Sequence, residues 1–150
     1  MRPSIEELAS SFDRKGFPLF LEKKTETALS VEETIINAFI LLEPRLHEGI
    51  PVLLAKNEID YRKLKKLIDK HRLYNQFGYF GEFALKYLNE PCLRELMEYC
   101  HSRLQQPVNI SGMADSYFKN LQNKEQKRWK VLGAPSYDSL EKQYKRYSDE

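Results

Sequence analysis

The sequence predicts a mainly α-helical single domain over residues 1–150, built as a bundle of about six to eight helices with one minor pair of short strands. Three observations support this prediction. Apolar residues recur at the i, i+3, i+4 and i+7 spacing of a helix along most of the chain. Two of these segments follow Ser-x-x-Glu capping boxes. With only six Gly and seven Pro, and 41% hydrophobic residues, the composition excludes collagen-like, low-complexity and wholly disordered chains.

The N-terminal third contains two capped helices and one ambiguous run. The capping boxes at Ser4–Glu7 and Ser30–Glu33 each precede an amphipathic pattern. Between the two helices, the apolar run Phe17–Leu21 predicts a short strand, and Pro18 places that strand at a sheet edge. The run Val52–Ala55 is short enough for either a helix or a buried strand, and its helical neighbours favour a helix.

The central third predicts two consecutive helices. Asp60 is a good N-cap for the first helix. Its inner face comprises Tyr61, Leu64, Leu67, Ile68 and His71. The second helix is expected from about Tyr74 to Leu88. Gly78 and Gly81 share one of its faces, which predicts the close approach of a neighbouring backbone because Gly is costly inside a helix.

The C-terminal third mixes helices with a loop and a second strand. Pro91 is placed as the first-turn proline of a helix, and residues 105–112 are expected to form a loop. A weaker helix is predicted over Met113–Leu121. The run Arg128–Leu132 predicts a strand able to pair with the N-terminal strand, and Ser136 is the expected cap of a last helix.

Charge is nearly balanced but unevenly distributed. The chain carries 24 Lys and Arg against 22 Asp and Glu, a net charge of +2, with −4 in residues 1–60 and +6 in residues 61–150. The longest apolar stretch, Ile50–Ala55, is far shorter than the roughly 20 residues of a membrane span. Glu6 and Glu7 stand where a secretory signal is apolar, so we expect a cytoplasmic protein without a membrane segment.

The patterns of metal and cofactor sites do not occur in the sequence. The three His residues form no HxH or HExxH motif, and the chain has no CxxC pair, glycine-rich phosphate loop or GxSxG elbow. Cys92 and Cys100 lie eight residues apart on one predicted helix, about 12 Å along its axis and beyond disulfide reach. We therefore expect no metal site and no cofactor.

One pair of residues fits a catalytic pattern. Arg94 and His101 have the Arg-x(4–6)-His spacing of the HEPN ribonuclease domains, in which the guanidinium steadies a phosphate and the imidazole acts as general acid or base. HEPN motifs usually carry Asn, His or Asp after the Arg, whereas Glu95 follows here. A HEPN-like ribonuclease is therefore an alternative function rather than the leading one.

The helix after Asp60 has a basic outer face. Arg62, Lys63, Lys66 and Lys70 are expected to meet an acidic partner, and the same side chains could follow a phosphate backbone. An ordinary solvated helix face is the simpler explanation. The following helix is strongly aromatic, and only Glu82 and Lys86 are expected as base readers in it, so a protein partner is favoured and a nucleic-acid-binding regulator stays an alternative.

The second central helix carries aromatic residues beyond its apolar stripe. Tyr79, Phe83 and Tyr87 are expected to supply aromatic anchors to a partner, because Tyr and Phe are enriched at interfaces. A central position in the bundle explains the same pattern through burial.

The stretch Asp60–Leu85, with Gln76–Glu82 (QFGYFGE) as its tightest motif, resembles a segment of the abortive-infection type E antitoxin family. The run Arg128–Leu132 (RWKVL) is similar to that family's closing Arg-Trp strand. The resemblance implies a domain that counteracts a nucleotidyltransferase toxin and has no catalytic residues. Residues 1–59 lack the winged helix of the family, so the resemblance implies the toxin-counteracting portion alone.

The leading hypothesis is therefore a non-enzymatic, antitoxin-like interaction module that binds and counteracts a partner protein. The expected partner-binding residues are the four basic and three aromatic side chains of the central helices.

Overall fold

The computed structural model describes residues 2–19, 28–113 and 122–148. The helices are α1 (Ile5–Arg14), α2 (Val31–Ile40), α3 (Pro44–His47), α4 (Ile50–Lys56), α5 (Tyr61–His71), α6 (Tyr74–Ala84), α7 (Pro91–His101), α8 (Lys124–Trp129) and α9 (Tyr137–Tyr147). The strands are β1 (Val108–Asn109) and β2 (Val131–Leu132). Besides the four-residue α3, the described residues form eight helices of six to eleven residues, whereas each strand has only two residues. This confirms the mainly α fold with a minor β pair. No helix within the described ranges is long and apolar enough to cross a bilayer.

Side-chain caps fix the start of several helices. At α2, Ser30 Oγ accepts from Glu33 N and Glu33 Oε1 accepts from Ser30 N, both at 3.1 Å, which is the predicted capping box. Ser136 Oγ caps α9 by accepting from Ser139 N at 3.1 Å, also as predicted. The run Val52–Ala55 lies within α4 and is therefore helical.

Helix α6 lies at the centre of the bundle. Nine of its eleven residues are buried, and it packs against α4, α5, α7 and α8. It ends at Ala84, earlier than the predicted Leu88. The N–H groups of Lys86 and Tyr87 donate to the carbonyls of Phe83 and Ala84, three residues back, so the chain tightens into a final turn before α7.

The two helical glycines of α6 lie against side chains rather than a backbone. A Cβ on Gly78 would overlap the indole ring of Trp129, and a Cβ on Gly81 would overlap the thioether of Met97. The predicted close approach of a neighbouring backbone is therefore wrong, because the missing side chains make room for large side chains of α7 and α8.

The two strands pair with each other in parallel. Val108 lies opposite Val131 and Asn109 opposite Leu132. The predicted pairing of Arg128–Leu132 with the Phe17–Leu21 run is wrong, because β1 occupies that place and residues 17–19 form no strand. Residues 128 and 129 belong to α8. Residues 20 and 21, and all but the first residue of the predicted Met113–Leu121 helix, lie outside the described residues.

His47 is a fully buried histidine between α2 and α6. Its Nε2 lies 3.0 Å from the Ala38 carbonyl oxygen, and its Nδ1 has no hydrogen-bond partner. The rings of Phe39 and Phe80 flank it at centroid distances of 5.1 and 5.8 Å. Burial lowers the pKa of His47 to about 4, so the imidazole is neutral at pH 7.

Candidate functional site

Helix α5 is held against the bundle from its N-terminus. Asp60 Oδ1 accepts from Lys63 N at 3.0 Å and caps the helix. The buried carboxylate of Glu32 on α2 accepts from Asp60 N, also at 3.0 Å. Leu64 and Ile68 are fully buried on the inner side. These contacts fix the direction in which the outer face of α5 points.

Three cations form a row along that outer face. Arg62, Lys66 and Lys70 follow each other at intervals of four residues, about 6 Å of helix per step, and all three are exposed. None of the three has an ion-pair partner among the described residues. We call these three residues the basic row. The row is a surface of unneutralised positive charge on a fixed helix.

Lys63 does not belong to this row. Its Nζ lies 3.0 Å from Ser30 Oγ, 3.5 Å from Glu33 Oε1 and 4.0 Å from Glu32 Oε1. The Ser30 backbone N–H first, and then the Lys63 ammonium, hold the pKa of Glu33 below its ordinary value against the effect of burial. Unlike the three residues of the basic row, Lys63 is engaged within the protein, where its ammonium ties α5 to α2. Its predicted role in partner binding stays a prediction.

The carboxylate of Asp69 on α5 is also engaged within the molecule. Asp69 Oδ1 accepts from Tyr99 at 2.6 Å and from Tyr74 at 2.8 Å. Burial raises the pKa of Asp69, but these two hydrogen bonds together with the charges of Lys65 and Arg103 outweigh it, and the pKa lies below its ordinary value. Lys65 and Arg103 lie over the Tyr99 ring at 4.2 and 4.6 Å. Positive charge therefore continues from α5 toward the end of α7.

A groove of about 330 Å³ runs between α2 and α5 beside the basic row. Ile36, Ile40 and Leu67 supply its apolar lining, and Lys70 belongs to both the row and the groove. His71 lines the groove and is exposed, so its predicted place on the inner face of α5 is wrong. Sequence reasoning missed this groove because Ile36 and Ile40 have the helical spacing of an ordinary core stripe.

The cations at this groove act on one another. Arg2 and Lys70 line it together with His71. Partial burial first, and then the charges of Lys70 and Arg2, lower the pKa of His71 below its ordinary value. The imidazole is therefore mainly neutral at pH 7, in an environment that disfavours further positive charge and favours anions.

Two of the three predicted aromatic anchors lie in the core. Tyr79 and Phe83 are both 0% exposed, so their predicted role as surface anchors is wrong. The Tyr79 hydroxyl donates to the Pro135 carbonyl at 2.6 Å, and the Phe83 ring packs edge-on against Tyr137. Tyr87 is 37% exposed and stacks on Tyr144 with ring centroids 4.4 Å apart. The aromatic character of α6 thus reflects its central position.

Arg94 and His101 both lie exposed on α7. Seven residues place them about 10.5 Å apart along the helix axis and on the same flank. Glu98 lies one turn from each of them on that flank. The His101 ring packs edge-on against Trp129 at 5.3 Å. A carboxylate between the two groups opposes the binding of a phosphodiester, so this geometry favours the surface on α5.

No family model, curated protein or solved structure matches the chain.

A cleft of about 760 Å³ lies at the N-terminal end of α5. Its lining includes four carboxylates, those of Glu32, Glu58, Asp60 and Glu90. Leu54, Tyr61 and Leu88 also line it. Burial first, and then the charge of Glu90, raise the pKa of Tyr61 to about 12. Within the described ranges, no three His, Cys, Asp or Glu residues are grouped so that they could hold a metal ion. The cleft is an acidic surface, and no residue of the basic row lines it.

Proposed function

We propose that the protein is a non-enzymatic interaction module that binds an acidic partner protein through the basic row of α5. The observation that supports this proposal most strongly is the row itself. Arg62, Lys66 and Lys70 are exposed at regular spacing and have no ion-pair partner in the described part of the chain, whereas Lys63 and Asp69 on the same helix are engaged internally. Such a row provides the charge complementarity that steers and selects a partner.

The surroundings of the row favour a protein over a nucleic acid. The adjoining groove is lined by the aliphatic residues Ile36, Ile40 and Leu67, whereas single-stranded nucleic acids are usually held by stacking on aromatic rings. The aromatic residues of α6 lie in the core. The groove has no Phe, Tyr or Trp in its lining, and phosphate contacts to the row give affinity without sequence selection.

The antitoxin-like role extends the proposal to the partner. The resemblance of Asp60–Leu85 to the abortive-infection type E antitoxins implies a nucleotidyltransferase toxin as the protein that is bound and counteracted. The tightest motif of that resemblance, Gln76–Glu82, lies in α6, and the basic row lies in the segment just before it. In this proposal α6 is the scaffold, and α5 carries the recognition surface.

A capture experiment with charge-reversed variants tests the proposal. The tagged protein is incubated with native lysate, with and without nuclease treatment, and bound proteins are identified by mass spectrometry. K66E/K70E reverses two charges of the row. K127E/K142E is the matched control, because Lys127 and Lys142 are exposed lysines on α8 and α9 and the change in net charge is the same.

We expect a stoichiometric partner that survives nuclease treatment, is retained by the control and is lost from K66E/K70E. A nucleotidyltransferase among the bound proteins would support the antitoxin-like role. If all bound material disappears with nuclease, or K66E/K70E retains the same partner as the wild type, the proposal is wrong. Circular dichroism of each variant establishes that it is folded.

A further inference from the structure

The α2–α5 groove combines an apolar lining with positive charge. Ile36 on its α2 side is buried, and Ile40 and Leu67 are half-buried. Lys70 and Arg2 bring two exposed cations to the same groove. Its volume of about 330 Å³ is at the small end of ordinary ligand pockets, a size that suits a side chain or two of a larger partner.

The one carboxylate that lines this groove, Glu33, is engaged within the protein. Glu33 Oε1 accepts from Ser30 N and lies 3.5 Å from the Lys63 ammonium. Lys63 is shared between Glu33 and Glu32, so it offsets part of their charge. Among the residues that line the groove, Arg2 and Lys70 supply two cations against the single carboxylate of Glu33, and the positive charge is in excess.

We propose that the α2–α5 groove receives an aliphatic side chain of an acidic segment in the partner protein, while carboxylates of that segment pair with Lys66 and Lys70. This inference rests on the proposed function and specifies what the partner offers. Lys66 and Lys70 lie one helical turn apart, about 6 Å, and Lys70 lines the groove. A segment with an aliphatic residue between acidic ones satisfies both features at once.

The proposed partner segment differs from other acidic ligands because its acidic residues alternate with aliphatic ones. A polyanion without aliphatic side chains leaves Ile40 and Leu67 in contact with water. An aliphatic segment without carboxylates leaves Lys66 and Lys70 unpaired. Recognition therefore requires both parts of the ligand, and each part can be removed separately.

Titration of the isotope-labelled full chain with synthetic peptides tests this inference. The probe is the peptide Glu-Leu-Leu-Glu-Asp-Leu-Glu, labelled with a fluorophore for anisotropy and unlabelled for amide NMR. The matched control peptide replaces each Leu with Ser and keeps every charge. The protein variants are K70E at the groove and K127E as the distant control, both at exposed lysines.

We expect the probe to shift the amide signals of α2 and α5, and the Ser peptide to bind about tenfold more weakly because the aliphatic contact is lost. K70E should weaken binding of the probe peptide by a similar factor, and K127E should leave the affinity for the probe unchanged. These results together would support the inference.

Three results would overturn it. If the Ser peptide binds as tightly as the probe while K70E still weakens both, the basic row binds acids without the groove, and the proposed function survives without this inference. If single-stranded RNA shifts the same amides and displaces the probe, the groove is a nucleic-acid surface. If the probe shifts no α2 or α5 signal, the groove takes no such segment, and the capture experiment decides the proposed function separately.

Discussion

The indole of Trp129 occupies the space that a side chain on Gly78 would need. A Cβ on Gly78 would overlap the six-membered ring of the indole. Trp129 Nε1 donates to Glu82 Oε2 at 2.7 Å, and Trp129 is 2% exposed. Because Glu82 is itself on α6, this hydrogen bond fixes the ring on the same helix that carries the glycine. The contact is therefore a rigid joint between α6 and α8.

Replacement of Gly78 with Ala should lower the free energy of unfolding by about 2 kcal/mol, because the fixed indole cannot move aside and the core is overpacked. Gly81→Ala is the matched control. Its Cβ would meet the flexible end of Met97, and Ala gains up to about 1 kcal/mol of helix propensity, so we expect little change. Urea denaturation of both variants measures the difference. Equal losses would contradict a rigid joint.

The core position of Tyr79 and Phe83 predicts large losses of stability on truncation. Tyr79→Ala or Phe83→Ala should lower the free energy of unfolding by about 3–5 kcal/mol, as for other buried aromatic residues. Tyr87→Ala removes a half-exposed ring that stacks on Tyr144 and should cost about 1 kcal/mol. Thermal denaturation compares the three variants. A Tyr79 variant that melts like the wild type would show that this side chain is not core.

Sequence patterns predicted the helices well where local chemistry determines them. The capping box of Ser30 and Glu33 and the cap at Ser136 need only residues within one turn, and both form as predicted. The predicted strand pairing was wrong because pairing depends on contacts between residues that are distant in the chain. Alternation over Arg128–Leu132 does not distinguish a strand from the end of a helix followed by a two-residue strand.

The candidate site was predicted in part. The spacing of Arg62, Lys66 and Lys70 indicates one helix face, and the structure places all three on the exposed surface. The contacts of Lys63 with Ser30 and Glu33, and the presence of the α2–α5 groove, could not be predicted, because both depend on how α5 packs against α2. Burial of Tyr79 was one of two interpretations that the sequence allowed, since an aromatic helix face has the same pattern in a core and at an interface.

Acid should destabilise the protein through His47. Its pKa of about 4 in the folded chain lies below the ordinary value of 6.5, so unfolding takes up a proton between these values. The neutral imidazole of His47 contributes its full share of the free energy of unfolding above about pH 6.5. This contribution, about 3 kcal/mol, is lost as the pH falls toward about 4.

His47→Leu should remove most of this pH dependence. The Ala38 carbonyl keeps the N–H of Glu43 as a donor at 3.3 Å, and the unpartnered Nδ1 disappears. Urea denaturation across this pH range compares the variant with the wild type, and the exposed His101→Asn variant serves as control. An unchanged slope in His47→Leu would mean that another group governs the acid response.

Lys130 ends α8 in a left-handed backbone conformation, with φ of 54°. An L-residue other than Gly is strained there by about 1–2 kcal/mol. Lys130→Gly should therefore raise the melting temperature by about 2–8 °C, whereas Lys130→Ala removes the same exposed side chain and keeps the strain. Differential scanning calorimetry of the pair measures the backbone contribution. A lower melting temperature for Gly than for Ala would contradict it.

Amide hydrogen exchange of the complex with the captured, nuclease-resistant partner tests the central claim most directly, because it shows which helix the partner covers. We predict slower exchange in the outer amides of α5 and in the adjoining part of α2, with no change along α7 around Arg94 and His101. Protection confined to α7, or to the acidic cleft around Glu58 and Glu90, would contradict recognition through the basic row.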